Sequence, residues 1–292
     1  MGTTAHIIVV SQDSAERHCE KARTIIERCE EQWSRFRPHS EVSKINQAAP
    51  NLVTTNLETI KLLSLSVDAW VLSEGIYNPS ILNSMKQAGY NNSFEDLNPV
   101  INQEEHLPGN PKLIEVFSEI LAVKIPEGSQ IDLGGIAKGY TSDLIADELI
   151  ADGVEGCLIN IGGDLAARGN CLDRAGWKIN LECLGSEENV TISIKTGAVC
   201  TSSILKRNWV VNGQVEHHLR HPITGQKIET DISTVSIICE NARQGEILAK
   251  IFLFKGTAQI DQLCAKYGVT GVAVDSWGNI IFMEGLEHYK VN

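Results

Sequence analysis

Apolar side chains recur at helical spacing in the first third of the chain. After a short β-branched run from His6 to Val10, Asp13 or Ser14 offers a helix cap, and Ala22, Ile25, Ile26, Cys29, Trp33 and Phe36 follow at intervals that predict one amphipathic helix. A second helix is predicted from about Asn56 to Glu74, with Leu57, Ile60, Leu63, Val67, Trp70 and Val71 on its apolar face and Gly75 as its stop. Asn, Pro and acidic residues then dominate from Gly89 to Pro111, so residues 89–111 read as a long loop or an edge insertion.

From Ile131 the period changes. A glycine-rich turn, Asp132-Leu133-Gly134-Gly135, leads into a predicted helix with Ile136, Tyr140, Leu144, Ile145 and Leu149 as apolar positions and an end near Gly153. Short alternating runs at Gly156 to Ile161, Trp177 to Leu181 and Val190 to Ile194 predict strands, separated by polar turns as in a meander. Val235 to Cys239 reads as a further strand and Asn241 to Phe254 as a helix ending near Gly256. Gly271 to Val274 and Asn279 to Met283 read as a closing hairpin around Ser276-Trp277-Gly278. No repeat, low-complexity tract or linker divides the chain, and residues 1–292 are expected to form a single domain.

Composition changes this picture mainly by exclusion. The chain has 292 residues and is 42% hydrophobic, enough for a full core. Acidic residues outnumber basic ones by 37 to 25, and a net charge of −12 argues against nucleic acid as a partner. A local anion site built from backbone amides and one or two cations remains compatible with that charge. The eight cysteines (Cys19, Cys29, Cys157, Cys171, Cys183, Cys200, Cys239 and Cys264) form no CxxC pair, and several lie in apolar runs, as expected of reduced thiols in a cytoplasmic protein. No apolar run of about 18 residues occurs, and the opening residues lack a basic region followed by an apolar one, so neither membrane insertion nor export is expected.

Candidate chemistry centres on Asp132-Leu133-Gly134-Gly135-Ile136-Ala137-Lys138-Gly139-Tyr140, with Asp143 just beyond. Glycines at a helix start let a phosphate approach amides that lack intrahelical partners, and the helix dipole favours its charge. The same glycines would equally serve tight packing. A second pair, in Asn160-Ile161-Gly162-Gly163-Asp164, closes the next strand and suits either close approach to a ligand in the same pocket or a tight turn.

Taken in order along the chain, these segments resemble the ApbE family of flavin transferases. Met1-Gly2-Thr3-Thr4 is similar to that family's start, and Ser34-Arg35-Phe36-Arg37-Pro38-His39-Ser40-Glu41-Val42 with Asn46 to its arginine/proline/serine-glutamate segment. Tyr77-Asn78-Pro79-Ser80 is similar to its aromatic-Asp-Pro-Thr element. The closest matches are Asp132 to Tyr140 with Asp143, and Asn160 to Asp164. Thr201-Ser202-Ser203 and His218-Leu219-Arg220-His221-Pro222-Ile223-Thr224-Gly225 complete the series. The resemblance implies an α+β fold of the tunnelling-fold type, with mixed, mostly antiparallel sheets packed with helices. It also implies a reaction in which FMN passes from FAD to a Ser or Thr of an acceptor flavoprotein, with Mg²⁺ as cofactor and AMP as product. Implied FAD contacts are Met1, Phe36, Asn78, Gly134, Gly135, Lys138, Asp143, Asn160, Gly162, Gly163, Asp164, Ser202 and His221, and implied catalytic groups are His218 and Lys138.

The chain departs from that pattern at the metal. The implied ligand positions are the Ala137 carbonyl, Glu246 and Lys250, and an ammonium has no lone pair to give a cation. Lys250 either replaces the ion or forms an ordinary i,i+4 surface pair with Glu246. The family's Asp before Pro is His221 here, and its Asp after the aromatic is Asn78. A non-catalytic FAD-binding protein and an FAD pyrophosphatase are the alternatives these changes leave open.

Overall fold

Helix α1 (Ala15–Trp33) buries Ala22, Ile25, Cys29 and Trp33, the stripe that its spacing predicts. It ends at Trp33, so Phe36 lies beyond it in the turn where the Arg37 amide bonds back to the Ser34 carbonyl at 3.1 Å. The computed structural model describes residues 2–97, 107–211 and 213–291. Met1 and residues 98–106 of the expected loop therefore lie outside the described residues. What is described of 89–111 holds only a single 3₁₀ turn at Phe94–Asp96 and the start of another at Pro111–Leu113.

The chain divides into two compact units. The first is built mainly from Arg28–Ala137 and Lys206–Ile228. Its helices are α2 (Glu41–Ala48), α3 (Leu57–Leu72) and α4 (Leu82–Gln87). Helix α3 is capped by Asn56, whose side-chain oxygen accepts from the Thr59 amide at 2.8 Å. Its buried face is rotated from the predicted one. Ile60 and Leu63 are buried, but with Thr59, Leu62, Ser66 and Ala69, while Leu57 and Val71 are exposed. Apolar residues surround much of this helix, so spacing alone does not fix which side is covered. Helices α2 and α4 have eight and six residues, too short for a periodic signal. Three short antiparallel strands, with Ala122–Lys124 between Val53–Thr54 and Glu115–Phe117, and the pair Asn208–Val211 with Gln214–His217 complete the unit. Met85, Tyr90, Trp209 and Val211 form a small core, with Phe36 packed against it.

The second unit comprises Thr3–Glu27, Lys138–Leu205 and Glu229–Asn292. Its centre is a seven-stranded antiparallel sheet whose neighbours follow chain order: β1 (Ala5–Val10), β2 (Gly156–Ile161), β3 (Asp164–Gly169), β4 (Gly197–Ser203), β5 (Ile232–Cys239), β6 (Thr270–Asp275) and β7 (Ile280–Phe282). Helix α6 (Ala242–Lys255) packs on β4 and β5, and α5 (Ala137–Ala151) meets β2 where the Cys157 thiol approaches the Ala146 carbonyl at 3.7 Å. Helix α7 (Ile260–Tyr267) follows α6. The expected meander is corrected here: Trp177–Leu181 and Val190–Ile194 pair with each other as a separate ribbon. Strict alternation gives that ribbon one apolar face, which covers Leu158, Leu165, Val199, Ile238, Val272 and Val274 of the sheet. The sheet is thus covered on both faces, and β3 and β4 carry buried residues in succession rather than alternating ones. The α+β expectation holds, and every described strand pair is antiparallel.

His217 gives the first unit a pH response. It is buried, and its Nδ1 accepts from the Leu219 amide at 3.2 Å. Burial first, then the positive charges of Arg220 and Lys227, push its pKa down to about 4 from 6.5, against a weaker upward pull from Glu216. The unfolded chain therefore takes up a proton before the folded one does. Stability is expected to be fully present above pH 6.5 and to be lost as pH falls towards about 4. Urea denaturation across that range should show the decline, flattened in His217→Gln.

Candidate active site

Helices α5 and α6 meet at their N-terminal ends. A Cβ on Gly139 would lie 2.3 Å from the Ala242 carbonyl oxygen, so only glycine permits this approach of one backbone to the other. Across the contact each helix supplies a carboxylate to the other. Asp143 of α5 accepts from the Ala242 and Arg243 amides of α6, both at 2.9 Å, and Glu246 of α6 accepts through Oε2 from the Gly139 amide of α5 at 3.0 Å. First-turn amides have no partners within their own helix, and the dipole favours an anion there, so both carboxylates sit where the backbone calls for them. Asn241 adds a conventional cap to α6, accepting from the Gln244 amide at 3.0 Å.

The carboxylates are buried and are matched by cations. Glu246 is 1% exposed and Asp164 is 2% exposed. The Lys138 ammonium reaches both, donating to Asp164 Oδ2 at 2.9 Å and to Glu246 Oε1. Lys250 Nζ lies 3.3 Å from the same Oε1 and donates to the Glu246 carbonyl at 3.0 Å. The reading of Glu246 and Lys250 as a surface pair is thereby corrected: α6 is buried along most of its length, and this side of it faces inward. Burial by itself raises the Glu246 pKa, but the Lys138 and Lys250 charges outweigh it and hold the carboxyl below the ordinary range. Asp164 is pushed up to about 6 by burial and by the Glu246 charge, against the pull of Lys138. Burial lowers Lys250 from its usual range, opposed by Glu246. Arg168 of β3 donates to Asp143 at 3.1 Å. Sequence reasoning missed Arg168, since no motif joins positions 25 residues apart that only the packing of α5 against the sheet brings together.

The Gly162-Gly163 pair is the two-residue turn of the β2–β3 hairpin. Both residues have positive φ, 62° and 96°, the geometry of a type I′ turn, and Asn160 Oδ1 accepts from the Gly163 amide at 3.0 Å. Of the two expectations for this segment, the tight turn is present, and it sets Asp164 at the first position of β3 within reach of Lys138. Ser202 is half-buried in β4 opposite Val235.

In the first unit, Asp132 Oδ1 accepts from the Gly134 amide at 2.9 Å, and the Leu133 carbonyl accepts from the Ile136 and Ala137 amides, which folds the Gly134-Gly135 segment into a turn. Asn78 is fully engaged, donating to the Gly109 and Pro222 carbonyls at 3.1 and 3.0 Å and accepting from the Ser80 amide at 2.7 Å. His221 Nδ1 accepts from the Ile223 and Thr224 amides, both at 3.3 Å, a turn-capping role that an Asp carboxylate would also fill. His218 is half-buried just past the strand Gln214–His217. The Arg35 guanidinium stacks 4.1 Å from the Phe36 ring centroid and 4.5 Å from that of Tyr90, which in turn lies 5.3 Å from that of Trp209. Tyr90 and Trp209 carried no sequence signal for a site, because an isolated aromatic points to no chemistry until its neighbours are known.

These features define an α+β protein with paired helix starts and a buried cluster of alternating charges. A model of the ApbE family matches residues 1–274. The chain is 27% identical over 270 residues to the FAD:protein FMN transferase of Vibrio cholerae, covering 88% of this chain and 79% of that protein. It is 26% identical to the protein of the same name from Treponema pallidum, over 85% of this chain and 75% of the relative. The crystal structure of the ApbE protein from Thermotoga maritima superposes with a TM-score of 0.89 at 26% identity, over 100% of this chain and 97% of that one. The chain belongs to the ApbE family.

Two substitutions test this geometry. Gly139→Ala places a methyl group against the Ala242 carbonyl and is expected to cost about 2 kcal/mol of stability. Lys138→Met leaves Asp164 and Glu246 short of a counter-charge and is expected to cost about 3 kcal/mol. Chemical denaturation of both variants against wild type measures the two effects.

Proposed function

We propose that this chain is an FAD:protein FMN transferase that moves the FMN phosphoryl group from FAD to a Ser or Thr hydroxyl of an acceptor flavoprotein and releases AMP. The observation that carries the proposal is the family match over residues 1–274, and relatives of that name similar across most of the chain support it. In the reaction the acceptor oxygen bonds to the phosphorus on the FMN side. The pyrophosphate bond to AMP breaks, the hydroxyl proton passes to a base, and AMP carries off the bridging oxygen. Such a transfer asks the protein for positioning and charge neutralisation more than for covalent chemistry. His218 is the proposed base, and Lys138, at the start of α5, a proposed charge partner for the pyrophosphate.

Several of the other proposed FAD neighbours already hold their own backbone in place. Asn78, Asp143 and Asn160 are bonded to backbone groups, so they serve by fixing their segments, as does His221. Phe36, Gly134, Gly135, Gly162, Gly163, Asp164 and Ser202 are proposed to adjoin the ligand. Mg²⁺ does not fit the residues present. Both oxygens of Glu246 accept from protein donors, and the Lys250 ammonium offers no lone pair, so no step is assigned to a metal ion. A cytoplasmic setting is part of the proposal, supported by eight cysteines that are all free thiols. Among the described residues no helix is long and apolar enough to cross a membrane.

Incubation of the purified chain with FAD and an acceptor protein, followed by assay for AMP, free FMN and covalent flavin, tests this reading. Covalent flavin with AMP in equal amount is the expected result, and His218→Ala should slow transfer by about 100-fold while still binding FAD. Tight FAD binding without AMP would replace the proposal with a non-catalytic binding protein. AMP with free FMN and no covalent product would replace it with a pyrophosphatase.

A further inference from the structure

Glu246 and Asp164 are two buried carboxylates joined by one lysine, Lys138. Those three groups sum to one net negative charge. Left so, the start of α5 would repel an anionic ligand and attract a cation, because an uncompensated charge in a buried site is strongly unfavourable. Lys250 supplies the missing charge from one turn further along α6, with its ammonium 3.3 Å from Glu246 Oε1 and 3.0 Å from the Glu246 carbonyl. With it the cluster is neutral. The Glu246 carboxylate then accepts from Lys138, Lys250 and the Gly139 amide, and a divalent ion, which asks for about six oxygen ligands, would have to displace these donors and sit beside two ammonium groups.

We propose that Lys250 is a built-in monovalent substitute for a divalent cation, closing the Glu246–Asp164 site to metal ions and making FAD binding by this chain independent of them. The proposal deepens the FMN-transfer reading and rests on it only for its statement about FAD. The exchange is not equivalent in strength. A lysine brings one charge on a fixed stem, where a divalent ion brings two and orients its ligands by coordination. The charge-neutral cluster therefore meets a phosphate through ammonium N–H donors, not through an excess of positive charge.

Manganese(II) serves as the probe, because its free and bound forms separate by electron paramagnetic resonance. The quantity read is the Mn²⁺ binding that disappears in Glu246→Gln, which removes adventitious binding to surface carboxylates of this acidic chain. Wild type is expected to show none. Lys250→Thr removes the ammonium and adds an oxygen, and is expected to create Glu246-dependent Mn²⁺ binding at least about tenfold tighter than wild type. Saturable Glu246-dependent binding by wild type would overturn the proposal, and so would a folded Lys250→Thr that gains none. If that variant does not fold, the wild-type titration alone decides. A parallel titration of FAD into wild type, with and without a chelator, should give affinities within about twofold of each other. Loss of FAD binding on chelation, restored by Mg²⁺, would also overturn the proposal. A wild type that binds no FAD at all refutes the FMN-transfer reading, while the Mn²⁺ titration still tests Lys250.

Discussion

The contact between Gly139 and the Ala242 carbonyl sets the terms for the rest of the site. Two helix starts brought this close place unpaired amides of both backbones in the interior, and those amides need acceptors. Asp143 and Glu246 meet that need reciprocally, each from the partner helix. Their burial in turn demands counter-charges, which Arg168, Lys138 and Lys250 provide. The β2–β3 turn completes the sequence of dependencies by setting Asp164 opposite Lys138. A single steric condition, the absence of a side chain at position 139, thus propagates into six charged positions.

Such a cluster is not the most stable filling for a protein interior. Taking charges out of water costs several kcal/mol per ion, and a packed apolar core of the same volume is often as stable or more so. What the cluster provides is ammonium donors held at fixed positions beside two helix starts, the kind of group the proposed reaction calls on. The orientation is fixed by the two helices and the sheet beneath them, not by a loop. That rigidity suits phosphoryl transfer, in which small displacements of a charge partner cost rate steeply.

The second half of the chain was the more legible in sequence. Helices α5 and α6 and strands β2 and β5 through β7 carry enough apolar residues, at clear enough spacing, for their positions to follow from pattern alone. Strands β3 and β4 did not, since Ala166, Ala167, Ala198 and Cys200 are buried on both faces and show no alternation. In the first half, α2, α4 and the two-residue strand at Val53–Thr54 are too short to leave a period. The glycine-rich segments were found as sites of close approach. What approaches Gly139 is a backbone carbonyl of this same chain, and the Gly162-Gly163 pair turns a hairpin.

The sequence by itself determined the α+β class, the main helices and strands of the second unit and the resemblance to the ApbE family. These rest on local periodicity and on the order of short motifs, both of which survive in a one-dimensional chain. It also singled out Lys138, Asp164, Glu246 and Lys250 one at a time, from motif positions. Only the tertiary structure decided that the four form one buried ion cluster. Lys138 and Glu246 lie 108 residues apart, and whether a lysine beside a glutamate is a solvated pair or an interior counter-charge depends on which face of the helix the fold covers. For α6 the surrounding sheet and helices cover nearly all of it, and burial converts an ordinary i,i+4 spacing into an electrostatic constraint.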